Sequence, residues 1–163
     1  MLEKVKVTTK EIDELVAIIK EVWPEAFVPI IGQEQVDYML ATYQSKEQIE
    51  KEIAEGVQYF LLKKQGQTVG YTAYEIIDSK IYLSKLYLLH QVRGQGLTTA
   101  IFHWYEQLAK EQGITEIYLR VNQGNTQAIA VYKHQGFELV GELVSDIGQG
   151  FQMVDYKMKK ILA

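Results

Sequence analysis

The sequence predicts a single α/β (α+β) domain, built on a mixed, mostly antiparallel sheet of about seven strands with helices on both faces. Three observations predict it. A short first strand precedes three helical segments, and an uninterrupted three-arm meander with tight polar turns follows them. A strand, a glycine turn, a helix and another strand then form one βαβ unit, so one pair of strands is parallel. Two late strands, antiparallel partners by their order, close the chain around Gly148 and Gly150. At 163 residues, with 47% hydrophobic and 23% charged residues, the chain has the size and balance of one globular domain.

Each element has a local cause. Glu3 to Val7 alternates as a strand. Thr8 and Glu11 form a capping box for a helix whose apolar face is Ile12, Leu15, Val16 and Ile19. Pro24 is expected to stop that helix after Trp23, leaving Ala26 to Gly32 as a surface loop. Gln33 to Tyr43 predicts a second helix with Val36, Met39, Leu40 and Tyr43 on one face. Ser45 caps a third, Lys46 to Ala54, which ends at Gly56. Val57 to Lys63, Thr68 to Ile77 and Lys80 to Leu89 are the meander arms, with turns at Lys64–Gln67 and Asp78-Ser79. The helix from Leu97 to about Gln112 ends at Gly113, and its stripe reads Leu97, Ala100, Ile101, Trp104 and Leu108. Ile114 to Val121 is a strand, Asn125 caps a short helix ending at Gly136, and Phe137 to Val144 and Phe151 to Met158 are the late strands.

Composition narrows the function. Lys+Arg 17 against Asp+Glu 21 gives a net charge of −4, which argues against a general nucleic-acid binder. The absence of cysteine excludes disulfides, thiolate metal sites and a Cys nucleophile. Three scattered histidines, His90, His103 and His134, show no metal-ligand spacing, so no metal is expected. Charges in Met1 to Lys10 oppose a signal peptide, and no apolar run is long enough for a bilayer. A cytoplasmic protein without a membrane partner is expected, as monomer or homodimer.

The chemistry gathers at Gln91-Val92-Arg93-Gly94-Gln95-Gly96-Leu97. Two glycines one residue apart let the backbone turn tightly and expose its N–H groups. The following helix aims its positive end at the turn, and Arg93 adds a fixed charge, so the stretch reads as an anion site for phosphate or pyrophosphate. A Walker A loop is excluded because Leu97-Thr98 follows Gly96 where Lys-Ser/Thr is required. A dinucleotide fingerprint is excluded by Thr99 at its third small position, by Val121-Asn122 where an acid should end the next strand, and by the preceding meander.

A third pattern fits. Gln91-Val92-Arg93-Gly94-Gln95-Gly96 matches the Q/R-x-x-G-x-G/A signature of the GNAT N-acetyltransferase superfamily, which the chain resembles over nearly its whole length. The later stretch Val121-Asn122-x-x-Asn125-x-x-Ala128-Ile129-x-x-Tyr132-Lys133-x-x-Gly136-Phe137 resembles the family's late motif. The resemblance implies an enzyme that moves acetyl from acetyl-CoA to an amine, on a sheet whose parallel pair is splayed. It implies that N–H groups from Val92 to Thr98, with Gln91, hold the pyrophosphate. It implies that Leu86, Tyr87 and Leu88 pair with the pantetheine arm, a free N–H near Leu88 polarising the thioester carbonyl. Asn122, Asn125 and Ala128 would contact the cofactor. Tyr132 occupies the position from which relatives protonate the departing thiolate, and its ordinary pKa of about 10 suits a thiol near 8.5.

The base is not fixed by motif. Glu75 is one candidate, its alternation mates Val69, Tyr71 and Ala73 being apolar or aromatic, so burial would raise its pKa. A solvated strand-end glutamate, with a water chain as base, is the other reading. Trp23, Phe27 and Tyr38 read as core packing rather than cleft. The absence of Cys favours direct attack in a ternary complex. Leu83-Ser84-Lys85-Leu86-Tyr87-Leu88 and the stretch from Asp146 to Met158 resemble a bacterial polyamine acetyltransferase-like subgroup, with Glu25, Glu34, Glu75, Asp146 and Asp155 as available carboxylates. A small amine or polyamine acceptor is therefore expected, with protein N-termini and a catalytically silent acyl-CoA-binding regulator as alternatives. Thr98 departs from the family in standing where many relatives carry a smaller residue, and His90 in standing where they often carry Pro.

Overall fold

A computed structural model describes residues 2–162. The elements are β1 (Leu2–Lys6), α1 (Ile12–Ile31), α2 (Gln33–Ala41), α3 (Lys46–Ala54), β2 (Gln58–Lys64), β3 (Gln67–Ile77), β4 (Lys80–Leu88), α4 (Leu97–Glu111), β5 (Glu116–Asn122), α5 (Thr126–His134), β6 (Glu138–Gly148) and β7 (Phe151–Ile161). The strands hydrogen-bond in the order β1-β2-β3-β4-β5-β7-β6. The β4–β5 pair is parallel, and β1–β2, β2–β3, β5–β7 and β6–β7 are antiparallel. Among the described residues, no helix is long and apolar enough to cross a membrane.

The chain forms two compact units. The first is the chain up to Glu75 together with Lys85–Thr98. Its local signals act as read: the Thr8 backbone N–H donates to Glu11 Oε1 at 2.9 Å, and Ser45 Oγ accepts from the Gln48 N–H at 3.2 Å. The helix does not stop at Pro24. α1 runs through both Pro24 and Pro29 to Ile31, and Gly32, at φ 86°, ends it. An interior proline costs about 3 kcal/mol. Burying an aromatic or aliphatic side chain returns about 1.5–3 kcal/mol each, and aromatic pairs add about 0.5–1.5. Trp23 and Phe27 are both buried, 4.5 Å apart between ring centroids, and their rings lie 6.0 and 5.6 Å from that of Tyr87. Continuing the helix past Pro24 is what brings Phe27 to this cluster, so packing outweighs the proline. Tyr43 is the other departure: α2 ends at Ala41 and Tyr43 is 41% exposed, resting edge-on near Tyr38.

The second unit is Ile76–Ser84 together with the chain from Thr99. Here α4 is rotated from the expected phase. Its buried residues are Ile101, Phe102, Tyr105 and Ala109, whereas Ala100 is exposed and Trp104 and Leu108 are half-buried. The β6–β7 strands are longer than expected and carry two register shifts, between Leu139/Gly141 and between Asp146/Gly148. The β4–β5 ladder pairs Ile81 with Ile117, Tyr82 with Tyr118 and Leu83 with Leu119, and stops there although β4 continues to Leu88. Such a truncated parallel ladder is the splay that the sequence resemblance implies.

Candidate active site

The site residues read from the sequence fall into both units, and each set has its own geometry. In the first unit, β4 delivers Leu86, Tyr87 and Leu88 to the glycine turn. Since the parallel ladder ends at Leu83, one edge of these residues offers unladdered backbone. On the other edge they are tied to β3: Thr72 Oγ1 donates to the Lys85 carbonyl at 2.6 Å, and the Leu89 N–H donates to the Val69 carbonyl at 2.8 Å.

A 3-10 turn, His90–Val92, follows, and it changes the expected cradle. The Val92 N–H is bonded to the Leu89 carbonyl at 3.1 Å and the Arg93 N–H to the His90 carbonyl at 3.2 Å. These two amides are committed to the turn. The N–H groups of Gly94, Gln95, Gly96, Leu97 and Thr98 donate no hydrogen bond among the described residues. Gly94 and Gly96 sit at φ 76° and 75°, with open space around both, so it is the dihedral and not the room that calls for glycine. Five unbonded amides in succession, the last two opening α4, leave a run of free donors suited to an anion.

Side chains around the turn add charge. Arg93 Nη2 donates to the Leu88 carbonyl at 3.4 Å and Nη1 lies 3.4 Å from Nδ1 of His90, which fixes the guanidinium beside the β4 end. The His90 N–H donates to Glu25 Oε1, and Lys64 Nζ donates to Gln95 Oε1. Neither Lys64 nor this role of Glu25 was legible in the sequence, because each meets the turn from a remote stretch of chain. Glu25, one of the carboxylates considered for a polycation, is engaged as a cap of this turn instead. Gln91 is exposed, Val92 is buried, and Leu97 and Thr98 are half-buried. Glu75 is half-buried, next to the exposed Ile76 and Ile77.

In the second unit, Asn122, Asn125, Ala128 and Tyr132 lie on β5 and α5. Asn122 Oδ1 accepts from the Gly124 N–H at 2.8 Å, and Asn125 Oδ1 accepts from the Ala128 N–H at 3.2 Å, capping α5. Each oxygen is thus used on backbone, so the side-chain NH2 is the group left to donate to a ligand. Ala128 is half-buried in the first turn of α5. The half-buried Tyr132 ring sits 5.9 Å from Phe102, edge-on, and 6.0 Å from Phe137, and these two rings are 5.5 Å apart. Burial pushes the Tyr132 hydroxyl up to about 12. The match to a thiol inferred from its ordinary value is therefore poorer than expected.

Asp155 of β7 pairs in register with Asn122 and is 8% exposed. Burial raises its pKa above the ordinary 3.8, and Arg120 offsets this in part. The folded state holds this proton more tightly than the unfolded chain does. The carboxyl therefore contributes stability below pH 3.8, and that contribution is lost as pH rises through the folded value. Asp155→Asn, which keeps the shape without the charge, is expected to raise Tm at pH 7 by about 2 °C, with the gain gone at pH 3. Thermal melts at the two pH values check it, and equal effects at both would remove charge as the cause.

Residues 15–137 match the profile of the Acetyltransferase (GNAT) family. An uncharacterized N-acetyltransferase of Mycobacterium tuberculosis is 28% identical over 152 residues, spanning 92% of this chain and 97% of that protein. A spermidine N(1)-acetyltransferase of Thermoplasma acidophilum is 22% identical over 139 residues, 82% of this chain and 86% of that one. Among solved structures, the PaiA N-acetyltransferase of Thermoplasma acidophilum in complex with coenzyme A is similar in fold, at a TM-score of 0.82, 21% identity and 99% of both chains. The ribosomal-protein-S18-alanine N-acetyltransferase of Escherichia coli is similar at a TM-score of 0.73 and 15% identity, over 100% of this chain and 95% of that one.

Proposed function

The chain belongs to the GNAT acetyltransferase family as an acetyl-CoA-dependent N-acetyltransferase, and from that premise we propose that it acetylates a small primary amine by direct attack in a ternary complex. The observation that carries the reading is the run of five unbonded amides, Gly94 to Thr98, placed directly after a strand with one unladdered edge. The amides and Arg93 fit a pyrophosphate, and the Leu86–Leu88 edge fits an amide-bearing arm such as pantetheine. Gln91, Val92, Asn122, Asn125 and Ala128 complete the proposed cofactor contacts. Acetyl-CoA supplies an activated acyl group as a thioester.

The chain's own groups then have distinct tasks. The Leu88 N–H polarises the acyl carbonyl and stabilises the oxyanion. Glu75, or water beside it, takes the proton of the attacking amine. Tyr132 donates to the departing sulfur. The sequence has no cysteine, so no acyl-Cys intermediate forms on this chain. The likeness to the spermidine N(1)-acetyltransferase, together with the stretches around Lys85 and Asp155, supports an amine of the polyamine class as acceptor. We propose that residues 1–163 act as one functional domain.

Free-thiol release across a panel of primary amines and peptide N-termini tests the proposal. Saturable turnover is expected on small amines. Saturable CoA binding without turnover on any acceptor would mark a silent acyl-CoA binder, and turnover on peptides alone would mark a protein acetyltransferase. Glu75→Gln is expected to lower kcat/KM by about a hundredfold. An unchanged kcat/KM places the base elsewhere.

A further inference from the structure

One carboxyl of the second unit stands without a partner. Asp155 is 8% exposed, and no other Asp, Glu, Lys or Arg is buried among the described residues. Its side chain accepts no hydrogen bond there and forms no ion pair within 4.0 Å. Every fully buried side-chain polar atom among the described residues does have a hydrogen-bond partner, so the carboxyl oxygens are the part of Asp155 that reaches the surface. The strands fix it in that position. Asp155 of β7 stands opposite Asn122 of β5 and opposite Leu143 of β6. Side chains paired in this way share a face and start about 5 Å apart. The Gln123 N–H donates to the Val154 carbonyl at 2.9 Å, and Gln123 Nε2 donates to the Asp155 carbonyl at 3.3 Å, which straps the end of β5 to β7. Arg120 and Lys157, a register pair, stand two residues away on the same face. Lys157 Nζ lies 4.8 Å from the centroid of the Tyr118 ring, and Arg120 is exposed without an ion pair.

A buried carboxylate that nothing pairs costs stability, which is the ground for expecting Asp155→Asn to raise Tm. A cation on its open side offsets that cost. Asn122 is one of the proposed cofactor contacts, so a cation held at Asp155, on the neighbouring strand, lies beside the bound cofactor. A metal ion does not fit: among the described residues no group of three or more His, Asp or Glu side chains could hold one. A single carboxylate with the aliphatic Leu143 on its β6 side suits one ammonium carried on a methylene chain. Resting on the amine-acetylating reading above, we infer that Asp155 is a specificity-determining residue that holds a second ammonium of the acceptor, so that diamines are taken in preference to monoamines. The reacting nitrogen must be neutral to attack. The second nitrogen stays charged, and it is the one that Asp155 holds. Its charge in turn favours the ionised carboxyl.

The test is kcat and KM for butylamine and for putrescine, the same chain with a second amine, in wild type, D155N and E142Q. The wild type is expected to prefer putrescine by about thirtyfold in kcat/KM. D155N is expected to bring the two amines to within about twofold, by raising KM for putrescine rather than lowering its kcat. E142Q removes an exposed carboxylate of the same hairpin and is expected to keep the preference. Melts at pH 7 accompany the kinetics: D155N is expected to melt no earlier than wild type, so its lost preference is not a loss of fold. A wild type indifferent to the second amine overturns the inference, as does an unchanged ratio in D155N or an E142Q that loses the preference equally. A D155N defect confined to kcat overturns it too, by assigning the carboxyl to proton transfer. Good turnover with the wrong ratios overturns this inference alone; no turnover on any amine overturns the proposed function and this inference with it.

Discussion

Tyr132→Phe is expected to lower kcat by about a hundredfold while leaving the dissociation constant for acetyl-CoA nearly unchanged. The substitution removes one oxygen and keeps the ring that packs against Phe102 and Phe137, so α5 should hold its place. The size of the effect follows from the acidity of the hydroxyl. Pushed up to about 12 by burial, it is a weaker acid than an ordinary thiol near 8.5. Complete transfer of its proton to a thiolate would run uphill by about 3.5 pKa units, or ~5 kcal/mol. The hydroxyl therefore acts foremost as a hydrogen-bond donor to the sulfur as charge develops. A hydrogen bond to a charged group is worth about 1.5–3 kcal/mol, which corresponds to roughly 10–150-fold in rate. The same acidity means that Tyr132 stays protonated across the working range and adds no basic limb to the pH–rate profile. The variant's profile should keep the wild-type shape and drop vertically. A kcat equal to wild type removes Tyr132 from the reaction, and a loss beyond a thousandfold assigns it full proton transfer instead.

What the sequence made legible was chemistry carried by a few neighbouring residues. Thr8 with Glu11, Ser45 with Gln48 and Asn125 with Ala128 make their capping bonds because each needs only residues within one helical turn. The paired motifs around Gly94 and Tyr132 were legible as local patterns, and with them the order of strands and helices along the chain. Pro24 was misread because the force that overrides it comes from Tyr87, far along the chain. The phase of α4 was misread because Leu97, Ala100, Ile101, Phe102, Trp104, Tyr105, Leu108 and Ala109 spread apolar groups over more than half of the helix circumference, so periodicity alone chooses poorly among faces. Within the site, the motif marks the glycine turn but not which amides the turn itself consumes. Val92 and Arg93 spend theirs on a 3-10 turn that no signature residue announces. Lys64 at Gln95 and Glu25 at the His90 N–H owe their places to contacts between distant segments, and no local pattern carries those.

Gly70 shows the same limit from the side of space. It lies in β3 with Leu62 as its β2 partner, and nothing in a Val-Gly-Tyr run marks it as required. A Cβ there would come within 2.1 Å of the Tyr87 carbonyl oxygen and 3.0 Å of both Cα and Cδ2 of Leu88. A flexible side-chain tip could swing aside, but a backbone carbonyl cannot. The bonds from Thr72 Oγ1 to the Lys85 carbonyl and from the Leu89 N–H to the Val69 carbonyl bracket the contact, so neither strand slides away freely. Gly70→Ala must therefore displace Tyr87 and Leu88 themselves. Overpacking of this kind costs about 1–3 kcal/mol, and at its upper end Tm is expected to fall by about 5–10 °C. The activity cost should be larger than the stability cost. The displaced residues are those proposed to seat the acyl arm and polarise its carbonyl, and a misplacement of about 1 Å at reacting groups costs about a hundredfold. Gly141→Ala is the control, since it makes the same change in β6 where a Cβ would meet nothing within 4 Å; its stability should stay within about 0.5 kcal/mol of wild type. Measured together by thermal melts and by kcat/KM for acetyl-CoA, the pair separates two roles for the β4 end. A Gly70→Ala protein that melts early but retains its kcat/KM would leave the Tyr87–Leu88 backbone a structural part only, whereas a loss in kcat/KM that outruns the loss in stability places the acyl group against it.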